Sequence, residues 1–350
     1  MRAPARALMG LLCLFGMLLC LPMTAQAQTT VEWQNFESYE LLDREIKAQQ
    51  ATELSLGTQP IPSDLCRRLL DDFPNVHFTY LLAVYGLNVD CNAQTLDLQK
   101  LQLPNMKDPK NVDDLCSMLS CLPKLTRVDM FKNFVPKKMM PIFAERFPAI
   151  RFGWTIGIRD YRIRTDITAF STLKDGSPPY IKSEELEILR YCKDLVALDL
   201  GHNSIAGLDF LYGLPQLKVL IVAVNNVTDI TPIASLQNLE YLELFNNQIT
   251  DISPLAKLGK LMDLNLCYNP IDDFSCLEGL TSLDRLWLGA NKRLSPSELA
   301  QLQKALPHTT INSTARDSTG EGWRKHDRYW VIRKMFKTSI YLPWDADMGK

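Results

Sequence analysis

Residues 195 to 294 repeat one pattern five times. Leu195, Leu217, Leu239, Leu261 and Leu283 are 22 residues apart, each opening L-x-x-L-x-[LV]-x-x-N, and Asn203, Asn225, Asn247, Asn269 and Asn291 close it in the same register. The run LEYLELFNNQITDISPLAKL at 239–258 is the clearest copy. A coil of this length carries seven regularly placed apolar residues, Leu239, Leu242, Leu244, Ile249, Ile252, Leu255 and Leu258. They can all be buried only if each coil closes on itself and stacks on its neighbours, since one repeat cannot hide its own face. Stacking extends a parallel sheet by about 4.8 Å per coil. The expectation is an α/β solenoid with a curved, concave parallel sheet.

The asparagine has a structural explanation. Its carboxamide both donates and accepts, so it can satisfy backbone groups left unpaired where the strand ends. On the convex side a 22-residue coil has no room for an α-helix, and Pro232 and Pro254 favour 3₁₀ or extended turns. The longer coils should carry helices there. Apolar spacing predicts helical segments over 63–73, 112–121, 137–147 and 183–192, with Ser63 and Ser183 as caps, and one over 295–306 capped by Ser295 and opened by Pro296.

The chain divides by composition into five expected parts. Residues 1–27 carry Arg2 and Arg6, an apolar run from Ala7 to Leu21 and Ala25-Gln26-Ala27, the pattern of a cleaved secretory signal peptide. The run is shorter than the roughly 20 residues a membrane span needs, so no transmembrane anchor is expected after cleavage, and the protein should be secreted or held at the cell surface. Residues 28–52, with Trp33, Phe36, Leu41, Leu42 and Ile46, form an N-terminal cap. Residues 53–194 are long, irregular repeats with an internal duplication. The stretch from Glu53 matches that from Arg127, with Pro62 on Pro136, Leu65 on Met139, Leu69 on Phe143 and Phe73-Pro74 on Phe147-Pro148. Residues 195–312 are the regular repeats and 313–350 a basic, aromatic tail. Its aromatics should cap the last coil, with an acidic glycan or a membrane face as the alternative contact.

The 22-residue copies resemble leucine-rich repeats of the class found in internalins of bacterial surfaces and in a eukaryotic regulator of a protein phosphatase. RTDITAFSTL, LVALDLGHNSI, LNLCYNP, RLWLGANK and GWRKHDRYWVIRKMF together resemble exported repeat proteins of Gram-positive anaerobes. The likeness implies recognition rather than chemistry.

No nucleophile elbow, phosphate-binding loop, H-E-x-x-H or paired C-x-x-C occurs. No metal or cofactor is expected, and a net charge of −2 gives no reason to expect a nucleic-acid partner. Cys267 and His202 fall three coils apart and cannot form a dyad. Cys66, Cys116 and Cys192 sit at core positions, whereas Cys267 should be exposed and potentially reactive. The residues between the buried leucines should project from the concave sheet. Tyr241, Phe245 and Trp287, with Val219 and Ile221, would form an exposed apolar patch edged by Asp199, Glu243, Asp263, Asn265 and Arg285. Such patches mark interaction sites, the alternative being that the N-terminal unit or the tail folds over these residues or that they are incidental. The leading expectation is a non-catalytic module holding a protein or peptide on this face. A cell-wall glycan stacked on Tyr241 and Trp287 is the alternative, and an enzyme site around Asp160, Arg164 and Asp166 the least favoured reading.

Overall fold

The computed structural model describes residues 29–173, 180–315 and 322–346. The expected signal peptide at 1–27 lies outside the described residues. The chain forms two compact units, one ending at Cys91 and the other starting at Asn92.

The first unit is a four-stranded mixed sheet. Strand β1 (Thr29–Thr30) pairs in parallel with β2 (Glu53–Ile61), β2 with β3 (His77–Val84), and β3 turns back antiparallel onto β4 (Leu87–Asp90). The cause is local. HFTYLLAV alternates, burying Phe78, Tyr80, Leu82 and Val84, and Tyr85-Gly86 supplies two positive-φ residues for a tight hairpin turn. Helices α1 (Tyr39–Gln49) and α2 (Ser63–Asp72) bury Leu42, Ile46, Cys66 and Leu69. Ser63 is the first residue of α2; Pro62 takes the cap position.

The second unit opens with a three-stranded parallel sheet, β5 (Thr95–Asp97), β6 (Arg127–Asp129) and β7 (Arg151–Gly153). Helices α3 (Pro109–Ser120) and α4 (Met140–Arg146) lie in the connections. At matching positions of the two aligned stretches, the Phe73 amide donates to Leu69 at the end of α2 and the Phe147 amide to Phe143 at the end of α4, at 3.0 and 2.9 Å. A hairpin, β8 (Thr155–Ile158) and β9 (Tyr161–Arg164), separates this sheet from the regular repeats.

Seven parallel strands then stack in chain order: β10 (Ala169–Ser171), β11 (Ala197–Asp199), β12 (Val219–Ile221), β13 (Tyr241–Glu243), β14 (Asp263–Asn265), β15 (Arg285–Trp287) and, after α5 (Pro296–Ala305), β16 (Thr310–Asn312). Leu198, Leu220, Leu242, Leu264 and Leu286 are aligned across the ladder and fully buried. Each such side chain is worth roughly 1.5–3 kcal/mol of burial. Leu242→Ala should therefore cost about 2–5 kcal/mol in urea unfolding, and a loss below about 1 kcal/mol would contradict the inward column.

The asparagine ladder runs as the repeat requires. In Asn247, Nδ2 donates to the Leu244 and Val222 carbonyls at 3.1 and 2.9 Å, bridging two coils, while Oδ1 accepts the Val227 amide at 3.0 Å. Asn225 and Asn269 repeat this. At the last rung, Asn291 Oδ1 accepts no hydrogen bond among the described residues. The residue before each asparagine, His202, Val224, Asn246, Tyr268 and Ala290, is left-handed, with φ between 53° and 60°. That conformation costs a residue with a Cβ roughly 1–2 kcal/mol. Ala290 is exposed, so Ala290→Gly should raise stability by about 0.5–1 kcal/mol, read as a higher urea midpoint.

The short coils carry 3₁₀ turns on the convex side, with Pro232 and Pro254 at their starts. Residues 183–192 are also 3₁₀ instead of the expected α-helix. Leu186, Leu189 and Cys192 occupy the columns of Leu208, Leu211 and Leu214 one 22-residue step later, so this segment already follows the short-coil pattern. Ser183 does not cap a helix; its hydroxyl accepts the Ala206 and Gly207 amides. At α5 the expected cap is present: Ser295 Oγ accepts the Glu298 amide, and Glu298 accepts the Ser295 amide.

Candidate functional site

The face of the seven-stranded sheet opposite the coil core carries the columns that should have been solvent-exposed. They are covered. Tyr241, Trp287, Val219, Ile221, Asp199, Glu243, Asp263, Asn265 and Arg285 are all buried, and only Phe245 is partly open. The cover is the C-terminal segment. Helix α6 (Asp327–Thr338) lays Val331, Ile332 and Met335 on this face, and Trp323 just before it is completely buried. The expectation of an open aromatic patch is thus corrected: those residues were half of an interface whose other half is 150 residues or fewer further along the same chain. Cys267 is buried in the same cluster, which corrects its expected exposure.

The tail does more than end the last coil. It runs back across the ladder, where the Tyr341 amide donates to Thr168 Oγ1 at 2.6 Å and Trp344 Nε1 to Glu240 at 2.6 Å. Its approach begins at Gly289, where any Cβ would overlap the Ala315 backbone. Rings then pack at a tilt against rings: Trp323 lies 5.2 Å from Trp287 and 5.6 Å from Tyr241, and Trp344 lies 6.4 Å from Tyr241. Offset aromatic pairs add about 0.5–1.5 kcal/mol each beyond their buried area.

Directional contacts fix the register. Asp263 is fully buried and receives two guanidiniums, Arg285 Nε at 2.6 Å from its own sheet and Arg328 from α6 at 2.6 and 2.9 Å. Arg328 also reaches Asp284 at 2.8 Å. Glu243 accepts the Trp323 indole N–H at 2.8 Å and the Tyr241 hydroxyl. Asp199 accepts from Ser171 Oγ at 2.8 Å and the Gly201 amide at 3.0 Å. Among the described residues, four buried donors around this interface lack an acceptor: Trp287 Nε1, Asn265 Nδ2, Arg285 Nη2 and Arg324 Nε.

Burial pushes the carboxyls of Glu243 and Asp199 up, against hydrogen bonds that pull them down. Desolvation, and then the charges of Arg285 and Arg328, lower His326. For Glu243 the folded protein holds its proton more tightly than the unfolded chain. This group's contribution to stability is therefore greatest below the ordinary glutamate value of 4.5 and is lost as pH rises through the raised folded value. Glu243→Gln keeps an acceptor for Trp323 and removes the charge. It should flatten the decline of urea stability above that pH, with a midpoint at neutral pH equal to or above that of the wild type.

The third expected site, around Asp160, Arg164 and Asp166, is not assembled as an acid–base centre. Asp166 is paired with Arg164 at 2.8 Å and Arg127 at 3.4 Å, and the Arg164 contacts hold its carboxyl below the usual range. Asp160 lies exposed at the β8–β9 turn. A cleft of about 270 Å³ beside Asp166 is lined by Phe152, Trp154 and Tyr191. Among the described residues no cluster of His, Cys, Asp or Glu could hold a metal ion, and no helix is long and apolar enough to cross a membrane.

Residues 215–257 match the family model described as Leucine Rich repeats (2 copies). The 22-residue coils are leucine-rich repeats. No curated protein matches the chain. Among solved structures, internalin C2 of Listeria monocytogenes is 25% identical, covering 58% of this chain and 83% of that one at a TM-score of 0.34. Internalin F of the same organism is 20% identical, covering 83% and 86% at 0.37. Scores this low bear on neither site nor ligand.

The coil core and the asparagine ladder of these leucine-rich repeats follow from spacing alone, and so does the identity of the sheet-face residues. The intramolecular cover was the less favoured expectation. Its signals were present: Arg328, Val331, Ile332 and Met335 share one helix face, matched to a largely apolar sheet face that carries three carboxylates, Asp199, Glu243 and Asp263.

Proposed function

We propose that this chain is a non-catalytic recognition module, exported to the cell surface or beyond, whose leucine-rich-repeat face receives a protein or peptide segment in the place α6 occupies. The single observation behind this is chemical: the face already holds the C-terminal segment that contains α6 through pairings specific to side-chain type, acid to guanidinium at Asp263 and acid to indole at Glu243 and Glu240. Four orphan donors support exchange, because each buried donor without an acceptor costs roughly 1–3 kcal/mol. A partner offering carbonyl or carboxylate oxygens at Trp287 Nε1 and Asn265 Nδ2 would recover what α6 leaves unmet. A glycan reading is weaker, since the Tyr241 and Trp287 rings that would stack on a sugar are covered by Trp323 and Trp344. Catalysis has little support, each carboxylate on the face being engaged by hydrogen-bond donors.

The test compares wild type with Arg328→Gln, which loosens α6 without altering the face. Both are used to capture partners from cell-surface fractions. Several-fold more of a discrete protein on the variant is the expected result. Equal capture by both would place the site elsewhere on the chain.

A further inference from the structure

The side of α6 that faces away from the sheet has its own character. Trp330, Arg333 and Lys337 follow at i, i+3 and i+7, opposite the buried Val331, Ile332 and Met335. Trp330 is 48% exposed and Ile340, just past the helix, 56%. Arg333 and Lys337 make no ion pair among the described residues, and Arg333 sits 5.3 Å from the centre of the Trp330 ring. Between this side of the helix and β10 runs an open groove of about 820 Å³, with Leu173, Tyr329 and Phe336 in its walls and Arg333, Lys334 and Lys337 along its rim. Asp199, the one acid among the described residues that line the groove, is buried and held by Ser171 and Gly201.

We infer that this outward surface of α6 docks on an anionic phospholipid bilayer. Clustered Arg and Lys beside an exposed indole match a headgroup layer, where cations meet phosphates and a Trp ring sits at the boundary between water and acyl chains. A soluble acidic polymer would satisfy the cations and leave Trp330 and Ile340 in water; the bilayer uses both. The contact is peripheral, and it is independent of the repeat face, which lies on the other side of the helix. The two readings can therefore fail separately.

Co-sedimentation of the purified protein with vesicles tests it. Vesicles of phosphatidylcholine mixed with phosphatidylglycerol should retain the protein, vesicles of phosphatidylcholine alone should not, and about 0.5 M salt should release most of it. Each cation near such a surface is worth about 1 kcal/mol, about five-fold in partitioning, so Arg333→Gln with Lys337→Gln should weaken binding about 25-fold. Trp330→Ser should weaken it several-fold. These side chains are exposed, so thermal melts of the variants should match that of the wild type. Equal retention on both vesicle types, or an unchanged double variant, would overturn the proposal. So would binding to a soluble polyuronate as tight as to the vesicles together with no effect of Trp330→Ser, the outcome that favours a glycan.

Discussion

Asp263→Ala should cost about 3–5 kcal/mol in urea unfolding, because it removes the one anion between two arginines and leaves their charges behind. Breaking a buried pair by deleting one partner is expensive for that reason, whereas removing all partners together is often cheap. The side chain of Asp263 is fully buried, with Arg285 7% and Arg328 14% exposed. The two arginines differ in escape routes. Arg328 retains Asp284 and can swing toward water, but Arg285 is hemmed in by Trp323 and Trp287, with its Nη1 on the Trp323 carbonyl at 2.9 Å. Adding Arg285→Met to Asp263→Ala should therefore recover a substantial part of the loss, and adding Arg328→Met less. A single-variant cost below about 1 kcal/mol would mean that the triad is not what holds the tail to the sheet. Limited proteolysis gives a second readout: cleavage within 322–346 should accelerate in Asp263→Ala before the repeats themselves open.

The repeat was legible because its constraint is periodic. A 22-residue spacing, inward leucines and a recurrent asparagine allow one kind of packing, and Leu242, Leu264 and Asn247 lie where that packing puts them. Residues 183–192 show the limit of local spacing. Their apolar pattern fits an α-helix, yet stacking against the next coil imposes its 3₁₀ turn. The first unit was less legible for a related reason, since an eight-residue alternating strand followed by Tyr85-Gly86 makes a hairpin that an assumption of continued coils passes over. The sheet face was read correctly as to which side chains project from it and wrongly as to whether water reaches them. Periodicity fixes which way a side chain points relative to its own coil. It contains nothing about a segment with no period that returns from outside the repeat, and α6 is such a segment. The clue was complementarity: Asp263 and Glu243 faced two unusual tail residues, Arg328 and Trp323, each able to donate to a carboxylate.

Trp323→Ala should be the most damaging single change in the tail, at about 3–5 kcal/mol. The ring is fully buried between Tyr241 and Trp287, has the Arg285 guanidinium 4.3 Å from its centre and donates its N–H to Glu243. Truncation leaves a cavity flanked by two aromatics and a buried carboxyl short of one donor, and the two costs can be separated. Trp323→Phe keeps much of the ring volume and loses the N–H, so it should cost less than Trp323→Ala at neutral pH. Part of its cost should vanish in acid, where a protonated Glu243 no longer needs the missing donor. Trp323→Ala should retain most of its penalty in acid, because an empty volume does not titrate. If both variants lose the same stability at both pH values, packing alone anchors the tail. If the acid rescue of Trp323→Phe appears, the Glu243 contact contributes to holding α6 in the position that an external partner would have to take.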